Sequence, residues 1–257
     1  MRLQCRRPVT VRGKTIGGPL PLICLPLIAP NREDLDPQAR ELIALSPDIL
    51  EWRIDGFEAV DSVEAGLEAL AELREAVGAT PLIFTCRIDR EGGLASISRK
   101  TRLELITAAL GSGQVDVVDT ELCNDAAFIQ EVLAAAKESG VKVILSFHDF
   151  EKTPEETFLV ERLVQAQRLG AHIAKTAVMP RTYADVLVLL GATLKARTEG
   201  LEIPLVSMAM GAQGVVTRLA GGLFGSDITF AMGRTSSAPG QIPIAELRQA
   251  MALLYRR

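Results

Sequence analysis

One lysine of this chain interrupts an otherwise apolar run. Lys175 lies in the stretch from Ile173 to Met179, whereas the other six lysines fall in loops, on helices or at the start of a strand. Burial disfavours the charged form of an amine, so an apolar setting leaves more of a lysine neutral. A neutral lysine attacks a carbonyl carbon and forms an imine. Lys175 is therefore a candidate for Schiff-base chemistry, with a buried structural ion pair as the alternative.

The chain has two histidines, and their positions in the predicted strands separate them. His148 ends the apolar run before that of Lys175. Neighbouring strands lie about 4.8 Å apart, so its imidazole is expected within reach of a group attached to the lysine. His172 precedes the lysine's run at its amino end and has the opposite parity, so its side chain should point elsewhere. His148 is thus a candidate proton shuttle beside an imine, with a core histidine as the alternative.

Three further charged residues occur late in apolar runs. Glu51 and Arg53 lie two apart, so a strand would direct both to one face, and Arg87 ends the following run. In α/β barrels the active site forms at the carboxyl ends of the strands. These three side chains are therefore candidates to line the same site as Lys175 and His148.

Loop residues add less specific candidates. Glu91 follows the third predicted strand and could orient His148 or hold it protonated, and Arg218 lies near the start of the seventh predicted helix. Either could equally be a solvated charge. Residues 234–241, RTSSAPGQ, form a small polar segment with Pro and Gly, which suits a mobile lid over a barrel mouth but also describes an ordinary loop.

The elements that must position these residues recur as eight pairs of a short apolar run and a segment of helical periodicity. Strands are predicted at 21–28, 49–55, 81–87, 115–122, 142–149, 173–179, 204–210 and 228–233. Helices are predicted at about 34–46, 61–77, 96–111, 124–139, 154–169, 181–199, 214–221 and 243–255. Strands that alternate with helices imply a parallel sheet, because parallel neighbours need a crossover connection. Eight such units predict an α/β fold of the (β/α)8 TIM-barrel type.

The organisation of the whole chain follows from the same series. Residues at about 1–18 precede the first unit and are predicted to form a β-hairpin that closes one end of the barrel. No linker or low-complexity tract interrupts the eight units, so residues 1–257 are predicted to form a single catalytic domain.

Composition excludes several classes of partner. The 28 Lys and Arg residues against 32 Asp and Glu give a net charge of −4 without a basic tail or stripe, which argues against a nucleic-acid partner. No apolar run approaches the roughly 20 residues that a membrane span needs. The cysteines form no CxxC pair or Cys/His cluster, and no GxGxxG segment opens a helix, so we expect a cytoplasmic protein without metal or cofactor.

Seven short motifs together resemble those of type I 3-dehydroquinate dehydratases. They cover nearly the whole chain in the family's order, which makes the match far more specific than any one of them. The motifs are Glu51-Trp52-Arg53, Phe84-Thr85-Cys86-Arg87 with Glu91-Gly92-Gly93, SFHDF at 146–150, KTAVMP at 175–180, RLAG at 218–221, FGS at 224–226 and SAPGQ at 237–241.

This resemblance implies roles for the candidate residues. Lys175 would form an imine with the ring ketone of 3-dehydroquinate, His148 would be the proton shuttle, and Glu91 would tune and position His148. Loss of water would then give 3-dehydroshikimate, in the shikimate pathway, and the enzyme would be a homodimer. Six residues match family positions that contact substrate, with Arg218 as the partner of its carboxylate: Glu51, Arg53, Arg87, Arg218, Ser237 and Gln241.

Two residues depart from the family pattern. Cys24 stands where some members have a serine that faces the site, and Phe147 replaces a polar residue before the histidine. Neither change removes a catalytic group, and the sequence leaves open how the two changes affect polar contacts with the substrate and its affinity.

Two other functions are compatible with these residues. A class I aldolase-like lyase would also use a barrel lysine, but it would break a carbon–carbon bond. A catalytically silent barrel that binds a keto acid would need neither an imine nor a proton shuttle. The presence of both Lys175 and His148 speaks against that second alternative.

Overall fold

The strands of the computed structural model, which describes residues 2–234 and 236–255, form two sheets. The smaller is an antiparallel hairpin of β1 (Val9–Val11) and β2 (Lys14–Ile16). The larger contains eight parallel strands: β3 (Leu22–Leu27), β4 (Ile49–Arg53), β5 (Leu82–Thr85), β6 (Val117–Glu121), β7 (Lys142–Asp149), β8 (Ile173–Val178), β9 (Leu205–Ala209) and β10 (Ile228–Phe230).

A helix follows each strand of the larger sheet. The helices are α1 (Arg32–Ala44), α2 (Val63–Val77), α3 (Arg99–Gly111), α4 (Ala126–Ser139), α5 (Glu156–Leu169), α6 (Tyr183–Glu199), α7 (Val215–Phe224) and α8 (Ile244–Leu254). Short 3-10 turns at Ile54–Gly56 and Asp89–Glu91 follow β4 and β5. Side-chain oxygens cap the amino ends of five helices, and these N-cap residues are Asn31, Ser62, Ser98, Asp125 and Thr182.

The strand order in the larger sheet is that of a TIM barrel, with β10 beside β3 and each later strand beside its predecessor as far as β9. Side chains help to close the remaining gap between β9 and β10. The backbone N–H of Asp227 donates to Leu205 at 2.7 Å, and the carboxylate of Asp227 accepts from the Leu205 N–H at 2.8 Å. Ser226 similarly accepts from the Ser207 N–H at 3.1 Å. The predicted (β/α)8 barrel is therefore confirmed.

Every predicted barrel strand and helix is present, and the bounds agree to within three residues. One difference has a visible cause at the end of β5, which was predicted to reach Arg87. The backbone N–H of Arg87 donates to the carboxylate of Asp55 at 3.1 Å, so the chain leaves the strand ladder after Thr85. Met1, Thr235 and residues 256–257 lie outside the described residues, including one position of the predicted 234–241 lid.

The barrel interior is apolar at its amino end. Alternate residues of a strand face the same side, and the first inward residue of most strands is an aliphatic side chain. Val11 and Ile16 of the hairpin pack against this level, so the hairpin closes the amino end as predicted. The barrel residues of this level are Cys24, Ile49, Ile83, Val117, Ile144, Ile173, Val206 and Ile228.

The outward side chains of the strands form a second apolar layer beneath the helices. Trp52 and Phe84, both almost fully buried, stack edge to face with ring centroids 5.7 Å apart. The helices thus pack on a rigid wall, which fixes the strand ends that carry the charged residues. Among the described residues, no helix has both the length and the apolar character that crossing a membrane requires.

Candidate active site

The inward-facing residues become polar toward the carboxyl ends of the strands. Along β4, for example, Ile49 is followed two residues later by Glu51 and then by Arg53. A cavity of about 590 Å³, including its part open to solvent, occupies this end of the barrel. All nine predicted site residues line it: Glu51, Arg53, Arg87, Glu91, His148, Lys175, Arg218, Ser237 and Gln241.

Lys175 reaches the cavity from β8 and is only 5% exposed. Its Nζ lies 2.7 Å from a carboxylate oxygen of Asp119 and 3.5 Å from one of Glu51. The ring centroid of Phe230 lies 4.7 Å from the same nitrogen. The apolar strand had predicted apolar surroundings for this amine, but two carboxylates and an aromatic face surround it instead. These groups stabilise an ammonium there. It both forms a buried ion pair and faces the cavity.

Asp119 was missed in the sequence analysis, although it is the nearest charged partner of Lys175. Its other oxygen forms an ion pair with Arg87 at 3.0 Å and accepts a hydrogen bond from Ser146 at 2.6 Å. Burial would raise the pKa of Asp119, but Arg87 and Lys175 outweigh that effect and lower it. A signal was available, because Asp119 and Glu121 lie two apart, late in the apolar run of β6, as Glu51 and Arg53 do in β4.

His148 and Glu91 form a buried pair beside this lysine. His148 pairs in register with Ala177 of β8, two residues beyond Lys175 on the same face. Its Nδ1 lies 3.0 Å from a carboxylate oxygen of Glu91, which also accepts from the His148 backbone N–H at 2.9 Å. A proton on Nδ1 would be held by this carboxylate, leaving Nε2 as the basic nitrogen.

Burial acts in opposite directions on the two members of this pair. It lowers the pKa of His148 well below its ordinary value, and the charges of Arg87 and Lys175 lower it further. It raises the pKa of Glu91 to about 7. The imidazole is thus available as a neutral base near neutral pH, and the pair can exchange one proton.

A tight turn after β5 carries Glu91 into the cavity. Gly92 has a positive φ of 87°, and a Cβ on Gly93 would lie 2.3 Å from the carbonyl oxygen of Arg87. Neither position therefore tolerates a side chain easily. Arg53 donates to the carbonyl of Gly92 at 2.9 Å and is ion-paired with Asp55 at 2.7 Å. Arg53 therefore both lines the cavity and secures the turn of Glu91.

Arg218 on α7 is a buried guanidinium with no carboxylate partner among the described residues. It donates to the carbonyls of Phe230 and Pro239, each at 3.1 Å, and its Nη1 lies 3.5 Å from the sulfur of Met208. Within the described part of the chain, its Nε has no hydrogen-bond partner. Burial lowers the pKa of Arg218 to about 10. An anion placed in the cavity would relieve this cost, so Arg218 is suited to bind a carboxylate.

The loop after β10 covers the opposite edge of the cavity. The Gln241 side chain accepts from the Ser237 N–H at 2.8 Å and donates to the Ser237 hydroxyl at 3.0 Å. Pro239 accepts from the Gly211 N–H at 3.1 Å, and Gly240 has a positive φ of 77°. The loop therefore presents Ser237 and Gln241 to the cavity in a defined conformation.

Neither of the two unusual residues lines the cavity. Cys24 lies in the apolar level below it, and Phe147 points outward, where its ring packs on Phe158 with centroids 5.4 Å apart. Both departures from the family pattern therefore lie outside the lining of the cavity. His172 also lies apart, as predicted, because its Nδ1 accepts from the Val143 N–H at the amino end of the barrel.

Comparison with known proteins shows similarity along almost the whole chain. A model of the family described as Type I 3-dehydroquinase matches residues 23–257. The 3-dehydroquinate dehydratase of Bacillus velezensis is 42% identical over 248 residues, which are 96% of this chain and 98% of that protein. That of Klebsiella pneumoniae is 45% identical over 246 residues, again 96% of this chain and 98% of the relative.

Solved structures agree with these relatives. The crystal structure of 3-dehydroquinate dehydratase from Geobacillus kaustophilus superposes with a TM-score of 0.96 at 44% identity, covering 99% of this chain and 98% of that one. The type I enzyme from Clostridium difficile, which carries covalently modified comenic acid, gives a TM-score of 0.94 at 42% identity, with 97% and 98% covered. Since the similarity spans both chains and the nine predicted site residues line a single cavity, this chain belongs to the type I 3-dehydroquinase family.

Proposed function

We propose that this chain is a hydro-lyase that converts 3-dehydroquinate to 3-dehydroshikimate in the shikimate pathway, through a Schiff base on Lys175. The observation that carries the proposal is that Lys175 and the His148–Glu91 pair line one cavity. An amine and a proton shuttle in one pocket are the two groups that imine-dependent dehydration requires. The choice of 3-dehydroquinate as the substrate is supported by the membership of the chain in the type I family.

Formation of the imine begins with loss of the ammonium proton. The neutral amine of Lys175 then attacks the ring ketone to give a carbinolamine, which takes back the proton that the ammonium released and loses water to leave an iminium. His148 is available to take the proton, since burial lowers its pKa and favours the neutral imidazole. The iminium keeps the positive charge of the ammonium, so Asp119 and Glu51 stabilise it through the same contacts.

The iminium then serves as an electron sink for elimination. His148 removes the C2 proton, the electrons of that bond enter the iminium to give an enamine, and the enamine expels the C1 hydroxyl. The same imidazole returns a proton to the departing oxygen, which leaves as water. Hydrolysis of the product imine frees 3-dehydroshikimate and Lys175. This cycle uses neither a metal ion nor a nicotinamide.

The remaining residues are proposed to hold the substrate. Arg53 and Arg87 are already paired with carboxylates, whereas Arg218 has unused hydrogen-bonding capacity and is proposed to bind the substrate carboxylate. Ser237 and Gln241 lie on the loop that meets Arg218 through Pro239, so they are proposed to contact the bound acid. Glu51 and Arg87, at the cavity floor, are suited to the ring hydroxyls.

Residues 234–241 are proposed to act as a lid within a single catalytic domain spanning 1–257. Its described residues touch the rest of the barrel mainly through Arg218, Gly211 and an exposed ion pair of Arg234 with Glu41. So few contacts suit a segment that opens for substrate entry and closes over the occupied cavity.

Two copies of the chain are proposed to associate through helix α6. Tyr183, Leu187 and Leu194 are 70%, 69% and 39% exposed and lie four and seven residues apart, so they share one face. An apolar row of this kind is typical of an association surface. Four free cysteines suit a reducing cytoplasm, and the net charge of −4 argues against a nucleic-acid partner.

The imine predicts a clear outcome for the Lys175→Ala variant. Without the amine, the rate at which the conjugated enone forms should fall by at least about 10⁴-fold, as measured by the absorbance of the enone. Borohydride should trap substrate on Lys175 of the wild-type chain and on no residue of the variant, as mapped by peptide mass spectrometry. Lys195→Ala, which removes a half-exposed lysine paired with Glu156, is the matched control and should keep both properties. Release of two carbonyl fragments by the wild type would instead indicate an aldolase.

The pairing of His148 with Glu91 predicts the pH dependence of turnover. Since the pKa of Glu91 is raised to about 7, the wild-type rate should fall as pH drops below about 7 and the pair gains a proton. In Glu91→Gln no carboxylate stabilises the imidazolium, so this acidic limb should move to lower pH, with kcat at pH 8 reduced about 10- to 100-fold. His172→Asn is the control. An unmoved limb in Glu91→Gln would assign the titration to another group.

Substrate binding by Arg218 predicts a split between KM and kcat. Loss of a buried charged hydrogen bond costs about 2–4 kcal/mol, so Arg218→Met should lower kcat/KM by roughly 30- to 1000-fold. Most of the loss should appear in KM. Arg248→Met, which removes an exposed guanidinium that bonds only backbone carbonyls, should retain wild-type constants. A loss confined to kcat would contradict the binding role.

The association surface predicts a change in mass for Leu187→Asp. A charge at the centre of the apolar row should convert a dimer to a monomer in light scattering, while circular dichroism stays that of the wild type. Glu199→Lys, at the end of the same helix and away from the row, is the control. A wild-type chain that is monomeric at micromolar concentration would overturn the proposal.

A further inference from the structure

A line of alternating charges leads from the cavity through the barrel wall to helix α3. Lys175 pairs with Asp119 at 2.7 Å, and Asp119 pairs with Arg87 at 3.0 Å. Arg87 pairs with Glu121 at 2.7 Å, and the second oxygen of Glu121 pairs with Arg102. Each of these five side chains is at most 5% exposed. Three cations and two anions therefore share a region from which water is largely excluded.

Arg102 is the outermost member and does not line the cavity. It is 1% exposed, and its Nε and Nη1 donate to the carbonyl of Cys86 at 3.3 Å and to Asn124 at 3.0 Å. Its guanidinium also lies 5.2 Å from the ring centroid of Phe128. These contacts hold the charge in one place, so it acts on Glu121 as a fixed partner.

Resting on the proposed function, we propose that Arg102 is a positioning residue that controls, through Glu121 and Arg87, how readily Lys175 releases its proton. Arg87 divides its charge between Asp119 and Glu121. With Arg102 present, Glu121 is neutralised from the outer side, and Arg87 remains available to Asp119. Because Arg87 then compensates more of the charge of Asp119, Asp119 stabilises the ammonium of Lys175 less strongly. This favours release of the proton before the amine attacks the ketone.

Removal of the Arg102 charge would have the opposite effect on the lysine. Glu121 would then interact more strongly with Arg87, and the ion pair of Arg87 with Asp119 would weaken. Asp119 would therefore be compensated mainly by the ammonium of Lys175. The net charge of the region would also be one unit more negative, which stabilises the ammonium at low dielectric. The other groups that face Lys175 stay in place in this comparison: Glu51, Arg87, His148, the thiol of Cys24 and the ring of Phe230.

The test measures the reactivity of the Lys175 amine directly. Glyoxylate with cyanoborohydride alkylates neutral amines, so the rate of Lys175 modification, followed by peptide mass mapping between pH 6 and 10, reports its proton release. This rate should rise with pH as the amine loses its proton. In Arg102→Met this rising limb of the pH profile should move to higher pH by about one unit, the scale expected for one buried charge.

Matched variants separate charge from packing. Arg102→Lys keeps the charge and loses two hydrogen bonds, so its melting temperature should fall while the limb stays in place. Glu121→Gln removes the opposite charge and should move the limb to lower pH. Arg102→Met with Glu121→Gln removes one charge of each sign and should return the limb toward the wild-type position.

The inference is overturned if Arg102→Met lowers the melting temperature but leaves the limb at the wild-type pH, or if Arg102→Lys shifts the limb as far as Arg102→Met. Should Arg102→Met fail to fold, a limb that does not move to lower pH in Glu121→Gln overturns it equally. Because glyoxylate labelling needs no dehydration, a wild type that labels as expected but does not dehydrate 3-dehydroquinate rejects the proposed function alone.

Discussion

A buried ammonium must be matched by buried anions, and this requirement organises the active end of the barrel. Lys175 lies between Asp119 and Glu51 in a region that is almost inaccessible to water. Each carboxylate in turn needs its own donors, which Arg87, Ser146 and Thr85 provide. Removing a charged member would leave its buried partners with less compensating charge, which is costly. These contacts hold the amine of Lys175 at one point at the edge of the cavity.

The barrel makes this arrangement possible by separating apolar and polar levels along the same strands. Aliphatic side chains fill the amino end, where the hairpin residues Val11 and Ile16 cover them. The next inward position of several strands carries a charged or hydroxyl group instead. Burial of the lower level and of the outer wall stabilises the fold, so the upper level is free to hold charges that contribute little to stability themselves.

The arginines of the site differ in whether a carboxylate of the protein is paired with them. Arg53 and Arg87 are held by carboxylates and secure the geometry of Glu91 and Asp119. Arg218 contacts only neutral acceptors among residues 2–234 and 236–255, which leaves it suited to an anionic substrate. His148 and Glu91 are perturbed in opposite directions by burial, and such a pair can exchange a proton near neutral pH. We therefore propose that affinity and proton transfer depend on different residues.

The sequence by itself determined the eight strand–helix units, the hairpin, and the five cavity residues of the predicted strands: Glu51, Arg53, Arg87, His148 and Lys175. Residues two apart along a strand share a face, and their order along the strand gives the end at which they lie. Glu91, Arg218, Ser237 and Gln241 were assigned to the site through the resemblance of their motifs to those of the family. Only the tertiary structure decided which charges touch. The ion pairs of Asp119 with Lys175 and of Glu121 with Arg102 join residues 56 and 19 positions apart, and both carboxylates went unnoticed in the sequence. Likewise, it alone excluded Cys24 and Phe147 from the cavity. The physical reason is that contacts between strands and helices depend on register and side-chain reach, which spacing along one strand does not contain.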